Sequence, residues 1–402
     1  MLQVNCDEKI IGIEKWIFRF LCGYALFSSI SIAGGNVFLG LAVAAGLVRL
    51  YKKHDDWREL LTIDKKLSGP FFLMVGVFLL VSIFSTDIVH SGNVLFNHYV
   101  NRLMPFLLVV MFVRKKKQLI WLVLLAGAST LINNLSSIIQ WHVIGGDYAK
   151  GHRTPGLIGT MMTAGFNSMW VPVLFLLGAK TEGKWKYCVW MAMLIAVIGT
   201  VYNNTRGAWL AITITMAVTL FLYAKSKVKA LALLLVLALG IGIVVHNVDW
   251  MADRVTSIAN PTSNSSSNER LILWESARNM VADYPLTGVG YGGFEKNYQE
   301  KYILPEAHYR NLGHAHNNFY NVLAETGYPG AIALCIWWLG TVVYCLNGWR
   351  KKKNIAYLLM LAVFLGIMLQ GVTEYTMGDS IVMKFFWFAM GSCVQWLRLT
   401  EE

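Results

Sequence analysis

Charge is what this 402-residue sequence has least of: Asp, Glu, Lys and Arg together make up 14% of it, against 56% hydrophobic residues. So little polarity excludes the two or three water-soluble domains that a chain of this length could otherwise form, and a bilayer is the simpler solvent. Acidic residues are scarcer than basic ones, 23 against 35, which leaves a net charge of +12. The basic residues fall in short clusters between apolar runs and not along a stripe, so they read as topology and no nucleic-acid partner is expected. Cysteine is sparse too. The six (Cys6, Cys22, Cys188, Cys335, Cys345, Cys393) lie near the N-terminus or inside apolar runs without a CxxC spacing. That excludes a disulfide framework and a thiolate metal site. The pattern of a cleaved leader is also missing, because Met1 to Glu8 is polar and acidic and the apolar run that follows is too long. It reads as a retained first span.

What the chain does have is a succession of apolar runs near the ~20-residue length that crosses a ~30 Å hydrocarbon core. They fall around 12–32, 35–51, 70–86, 97–113, 119–140, 157–179, 187–203, 206–224, 230–246, 330–348, 355–374 and 381–398. The expected fold is an all-α polytopic membrane protein of about twelve transmembrane helices, with ten or eleven possible where neighbouring runs abut. Alternate loops are basic: Arg49 to Lys66, Arg114 to Lys117, Lys180 to Lys186, Lys225 to Lys229 and Arg350 to Lys353. The positive-inside rule then predicts both termini in the cytoplasm. Three regions follow: a nine-span bundle over 1–246, one large outer loop containing short helices over 247–329, and three spans over 330–402.

The outer loop is by far the longest connection, and long loops are usually functional. Its polar tract, Asn260 to Asn268, predicts a mobile linker. Leu271, Trp274, Ala277 and Val281 then recur at helical spacing until Pro285, predicting an amphipathic helix that lies on the membrane or packs on the bundle. Gly288 to Gly293 superficially resembles a phosphate loop. No strand precedes it, so a tight turn where backbones approach is the better reading.

The basic residues left on the outer side need another explanation. They are Lys150, Arg153, Arg206, Arg254, Arg270, Arg278, Lys296, Lys301 and Arg310. Arg206 stands at the outer end of two adjoining spans, where a guanidinium must be solvated, paired or ligand-bound; snorkelling to the interface is the plain alternative. Arg153 sits in an outer turn before a span, and Arg270 opens the loop helix. Arginine's planar fork suits phosphate oxygens, at about 1.5–3 kcal/mol per charge-assisted hydrogen bond. His314 and His316 close the loop. An HxH pair can hold metal, but zinc needs a third ligand and no HExxH or cysteine partner accompanies it, so no metal is expected. A neutral imidazole can instead accept a proton from a sugar hydroxyl, worth ~10²–10⁴ in rate. The loop carboxylates Glu295, Glu300, Glu306 and Glu325 are scattered, with nothing to set a glycosidase-like separation.

Taken together, His316-Asn317, nine residues, then Gly327-Tyr328-Pro329-Gly330 resembles the H-N/S/Q-x9-G-x-x-G pattern of the O-antigen ligase and polymerase superfamily. Arg206 at a helix start and Arg270 to Trp274 before Pro285 keep the same order. The resemblance implies a GT-C-like, metal-independent and cofactor-free glycosyltransferase at the periplasmic face of a bacterial inner membrane. Its donor would be an undecaprenyl-diphosphate-linked glycan, its acceptor a lipid A core, and membrane lipid its surroundings. The resemblance also makes Arg206 and Arg270 the diphosphate-binding arginines and His316 the essential histidine, with Arg153, His314 and Asn317 as substrate-binding companions. A polymerase acting on carrier lipid shares these motifs, as does a protein-acceptor transferase. A lipid-glycan flippase or transporter would instead place ionisable residues at mid-span, whereas Lys384 and Arg19, the main ones here, lie near span ends.

Overall fold

The computed structural model describes residues 2–53, 57–85, 87–147, 151–247, 252 and 265–401, and among them every regular element is helical. A helix overlies each of the twelve apolar runs. They are α1 (Leu2–Phe27), α2 (Ile32–Lys52), α4 (Lys65–Ile83), α5 and α6 (Ile88–Phe96 and Met104–Phe112), α7 (Lys116–Val143), α8 (Thr160–Lys180), α9 (Lys184–Asn203), α10 (Arg206–Tyr223), α11 (Lys227–Asn247), α14 (Asn318–Lys352), α15 (Ile355–Gln370) and α16 (Ser380–Glu401). The short α3 (Trp57–Leu60) lies between α2 and α4, while α12 (Ser265–Asp283) and α13 (Phe294–Asn297) belong to the long loop. Among the described residues nine helices are long and apolar enough to cross a membrane, α5 and α6 counting as one, and α15 is shorter.

The burial pattern is that of a protein dissolved in lipid. Phe72, Leu79, Trp121, Ile139, Leu235 and Leu339 are exposed on the flanks, an apolar surface too large for water. Polar side chains are packed inside and satisfied: the Asn134 and Asn167 amides bond each other reciprocally at 2.9 and 2.8 Å between α7 and α8, and Ser29 meets Ser129 at 2.8 Å. Such interhelical bonds hold helices together where lipid removes the hydrophobic drive, at about 0.6 kcal/mol each on average. α8 and α16 are the most enclosed helices, joined by Phe166 stacked on Phe385 at 4.2 Å.

Several elements depart from the sequence expectation. The fourth span starts at Ile88 and not near 97, because a π-helical turn at Asn97–Asn101 joins α5 to α6 and carries the helix through a polar stretch. α14 begins at Asn318, well before Pro329. Asn317 caps it by accepting from Tyr320 N at 3.0 Å, and Gly327, at φ +64, lets the helix kink and continue. A Cβ at Gly327 would lie 2.5 Å from Pro285 O, so this kink also receives the chain that follows α12. Part of the expected linker is helical: Ser265 to Asn268 form the first turn of α12, and Asn260 to Asn264 lie outside the described residues.

α12 packs on the bundle, the second of the two placements expected for it. Leu273, Ala277 and Met280 are fully buried with Val289, Phe294, Tyr298, Tyr302, Ala315 and Ala324. The glycine run is a turn held against α14, where a Cβ at Gly288 would collide with the backbone of Glu325. No nucleotide loop is formed.

Candidate active site

One end of the bundle is assembled from turns whose side chains tie distant segments together. α9 stops where Asn204 takes the left-handed conformation (φ 55), and Thr205 in extended backbone starts α10 at Arg206. Asn203 donates to Thr154 O and Thr160 O, both at 3.0 Å, and Asn204 donates to His152 O at 3.1 Å. Those bonds draw the 151–159 turn over the start of α10, which brings Arg153 beside Arg206. Arg206 Nη2 donates to Ser267 Oγ of α12 at 3.1 Å. α12 in turn anchors the loop: Glu269 accepts from Tyr309 N at 3.0 Å, and Trp274 Nε1 donates to Ala315 O at 3.0 Å while stacking on Tyr320.

The histidines are held just as tightly. Ala315 N donates to Asn321 Oδ1 at 3.0 Å, so both backbone groups between His314 and His316 are fixed. His316 itself stands at φ +46, a conformation uncommon outside glycine. Its N–H donates to His314 Nδ1 at 3.1 Å. Opposite lies the 371–379 loop, clamped from two sides. Arg102 donates to Met377 O at 2.5 Å and Gly378 O at 2.9 Å, and Asn318 accepts from Met377 N at 3.0 Å and donates to Thr376 Oγ1 at 2.8 Å. The clamp presents Glu374, whose Oε1 lies 3.0 Å from His316 Nδ1.

Between these parts opens a cleft with an empty volume of about 940 Å³, partly open to solvent. Arg153, Arg206, Arg270, Gln370, Thr373, Glu374 and Trp274 are on its walls. Three guanidinium groups face one carboxylate, and Arg206 adds its charge to the positive end of the α10 dipole. Guanidinium forks of this kind suit anionic oxygens. Arg270 Nε, Glu374 Oε2 and both ends of the Gln370 amide meet no hydrogen-bond partner. Each such buried atom costs about 1–3 kcal/mol.

Burial pushes the Glu374 carboxyl up, but the His316 hydrogen bond and the charges of His316, His314 and Arg270 outweigh it and hold it below the ordinary carboxylate value. An ionised carboxylate only accepts, so it is His316 Nδ1 that donates in this bond. Nε2 meets no partner among the described residues. Burial and the His316 charge push His314 down to about 4, so it is neutral at pH 7. Burial likewise lowers Arg270, against the pull of Glu374. His314, His316 and Glu374 are also close enough for metal ligation, their ligand atoms lying within 4.8 Å of one another. Glu374 is the third ligand that the sequence had not revealed. The nearby Arg270 charge opposes a dication there, and the existing hydrogen bond suits an imidazole–carboxylate pair better.

The structure thus brings Arg153, Arg206 and Arg270 onto one cleft together with Glu374, and Glu374 ties His316 and His314 to its edge. Asn317 is used within the protein, capping α14 and donating to Val372 O at 2.9 Å. Arg278 pairs with Glu275 and Lys301 with Asp283, both at the surface. Lys150 and Arg254 lie outside the described residues. Sequence reasoning missed Glu374, Gln370, Thr373 and Arg102. Their only signal was polarity at the margins of apolar runs.

The fold and the cleft define a multi-helix membrane protein with an arginine-lined cleft and an imidazole–carboxylate pair at one end of its bundle. Residues 156–335 match the family model described as O-antigen ligase, so the resemblance carried by His316-Asn317 and Gly327 to Gly330 stands. The matched stretch holds Arg206, Arg270, His314, His316 and Asn317, whereas Arg153, Gln370 and Glu374 fall outside it. No curated protein matches the chain.

Proposed function

We propose that this protein is an inverting glycosyltransferase that moves an O-antigen-type glycan from undecaprenyl diphosphate to a lipid A-core acceptor at the periplasmic face of the inner membrane. The observation that carries the reading is the convergence of Arg153, Arg206 and Arg270 on one cleft beside the Glu374–His316 pair. Breaking the anomeric C–O bond leaves its electron pair on a diphosphate, and arginines in a partly dry cleft stabilise that charge where it develops. The acceptor hydroxyl gives its proton to His316 Nε2 as its oxygen bonds the anomeric carbon from the opposite face. Glu374 is a positioning residue that holds Nδ1–H and steadies the imidazolium until the proton is lost to water. No metal, nucleotide or other cofactor enters these steps. In this reading twelve spans in a GT-C-like arrangement, with both ends cytoplasmic, carry the 247–329 loop as a periplasmic cap between the 1–246 and 330–402 bundles. Asn317 serves it by fixing the histidine turn.

The test is reconstitution with a defined carrier-diphosphate glycan, offered core lipid A in one tube and a second carrier-linked unit in another. Product on core lipid A with inverted configuration is expected, abolished by His316→Ala in folded protein. A ladder on carrier lipid would assign a polymerase instead. Retention would make Glu374 a nucleophile and remove His316 as the base. Arg206→Lys separates charge from fork geometry, and full activity in that variant would rule out bidentate phosphate binding there.

A further inference from the structure

Gln370 closes α15 and is fully buried, yet it lies on the wall of the arginine cleft. Among the described residues it is the one buried side-chain amide with neither end hydrogen-bonded. The others are used: Asn134 with Asn167, Asn203 with two carbonyls, Asn318 with Thr376 Oγ1 and Met377 N, Gln395 with Val113 O. A side chain offering one donor and one acceptor a short distance apart, both withheld from the protein, is complementary to a ligand with the same pair reversed. The backbone there is not loose, since Gln370 O accepts from Thr373 N at 3.0 Å and from Thr373 Oγ1 at 3.3 Å. The amide is therefore presented from a fixed helix end.

Resting on the transferase reading, we propose that Gln370 recognises the first sugar of the donor, the residue joined to the diphosphate. Its amide bonds two adjacent ring substituents at once, one donating to Oε1 and one accepting from Nε2. The sugar class this selects carries hydrogen-bonding groups at both carbons 2 and 3, as a vicinal diol or as an amide N–H beside a hydroxyl. The arginines bind any prenyl diphosphate; Gln370 makes the cleft choose among glycans, because a sugar lacking either group leaves the amide half unpaired in a buried place. Asparagine at 370 would fall a methylene short of that contact.

The experiment measures binding and transfer separately. Soluble short-prenyl diphosphate sugars, intact and with the carbon-2 or carbon-3 group replaced by hydrogen, compete for full-length detergent-solubilised protein, and the same compounds are assayed as donors. The wild type should bind the intact sugar roughly 10- to 100-fold better than either deoxy form, and Gln370→Leu should reduce that ratio to near one while still binding the unglycosylated diphosphate. Equal affinity of the wild type for intact and deoxy sugars would overturn the proposal without needing a variant, as would a Gln370→Leu protein that still discriminates. Loss of diphosphate binding in Gln370→Leu would also count against it, since the amide would then support the fold and not the sugar. Discrimination that depends on Gln370 without any transfer to an acceptor would uphold the inference and overturn the transferase reading alone.

Discussion

Glu374 and His316, 58 residues apart in the chain and 3.0 Å apart in space, behave as one unit. Glu374→Gln keeps the shape but removes the charge that holds Nδ1–H, so kcat should fall by roughly 10²-fold or more with little change in KM. Combined with His316→Ala it should add almost nothing, and a fully additive double variant would show that the two act independently. His314 makes a separate prediction. Unfolded, it takes up a proton near 6.5; folded, only near 4. Between those values the unfolded state binds more protons, so stability is complete above 6.5 and falls as pH drops towards 4, with Glu374 adding a loss further down. Thermal unfolding in detergent should show this fall, and His314→Asn, which keeps an acceptor for the His316 N–H, should flatten its upper part. Of these residues the histidines and the three arginines were legible from their residue type and place in outer turns. Glu374 was not, because a lone carboxylate between two late spans has no partner within reach along the sequence.

The helices are the elements that hydropathy displays most openly, since ~20 apolar residues in lipid can only satisfy their backbone as helix. Their ends are less legible. Gly327 and Pro329 read as a boundary, yet α14 runs through them because Asn317 supplies a cap upstream and Gly327 tolerates φ +64. Gly327→Ala would place a methyl carbon 2.5 Å from Pro285 O in a backbone region that alanine disfavours. We expect a loss of about 1–3 kcal/mol in stability, together with reduced transfer as α12 and its Arg270 are pushed off α14. A variant with unchanged melting temperature and activity would show that the kink is not needed. The π turn at Asn97–Asn101 was equally hidden: it ends beside Arg102, whose hold on the 371–379 loop supplies its purpose.

At the scale of the whole molecule, the basic clusters and the cleft make one prediction about orientation. In a cysteine-free background, a cysteine introduced at the exposed Tyr309 should react with an impermeant thiol reagent from the periplasmic side. One introduced at Lys351 should react only after the membrane is permeabilised. The reverse pattern would invert the topology and move the cleft away from the proposed donor and acceptor. The sequence by itself determined that this protein lives in a bilayer, that it is helical, and that its long loop ends in a recognisable histidine motif, because hydropathy, helix period and short motifs are properties of neighbouring residues. Only the tertiary structure decided that Arg153, Arg206, Arg270, Gln370 and Glu374 share one cleft. That convergence depends on how helix ends and turns from four separate stretches are tied together by side-chain bonds such as those of Asn203, Arg102 and Asn318, and no local pattern records which will meet.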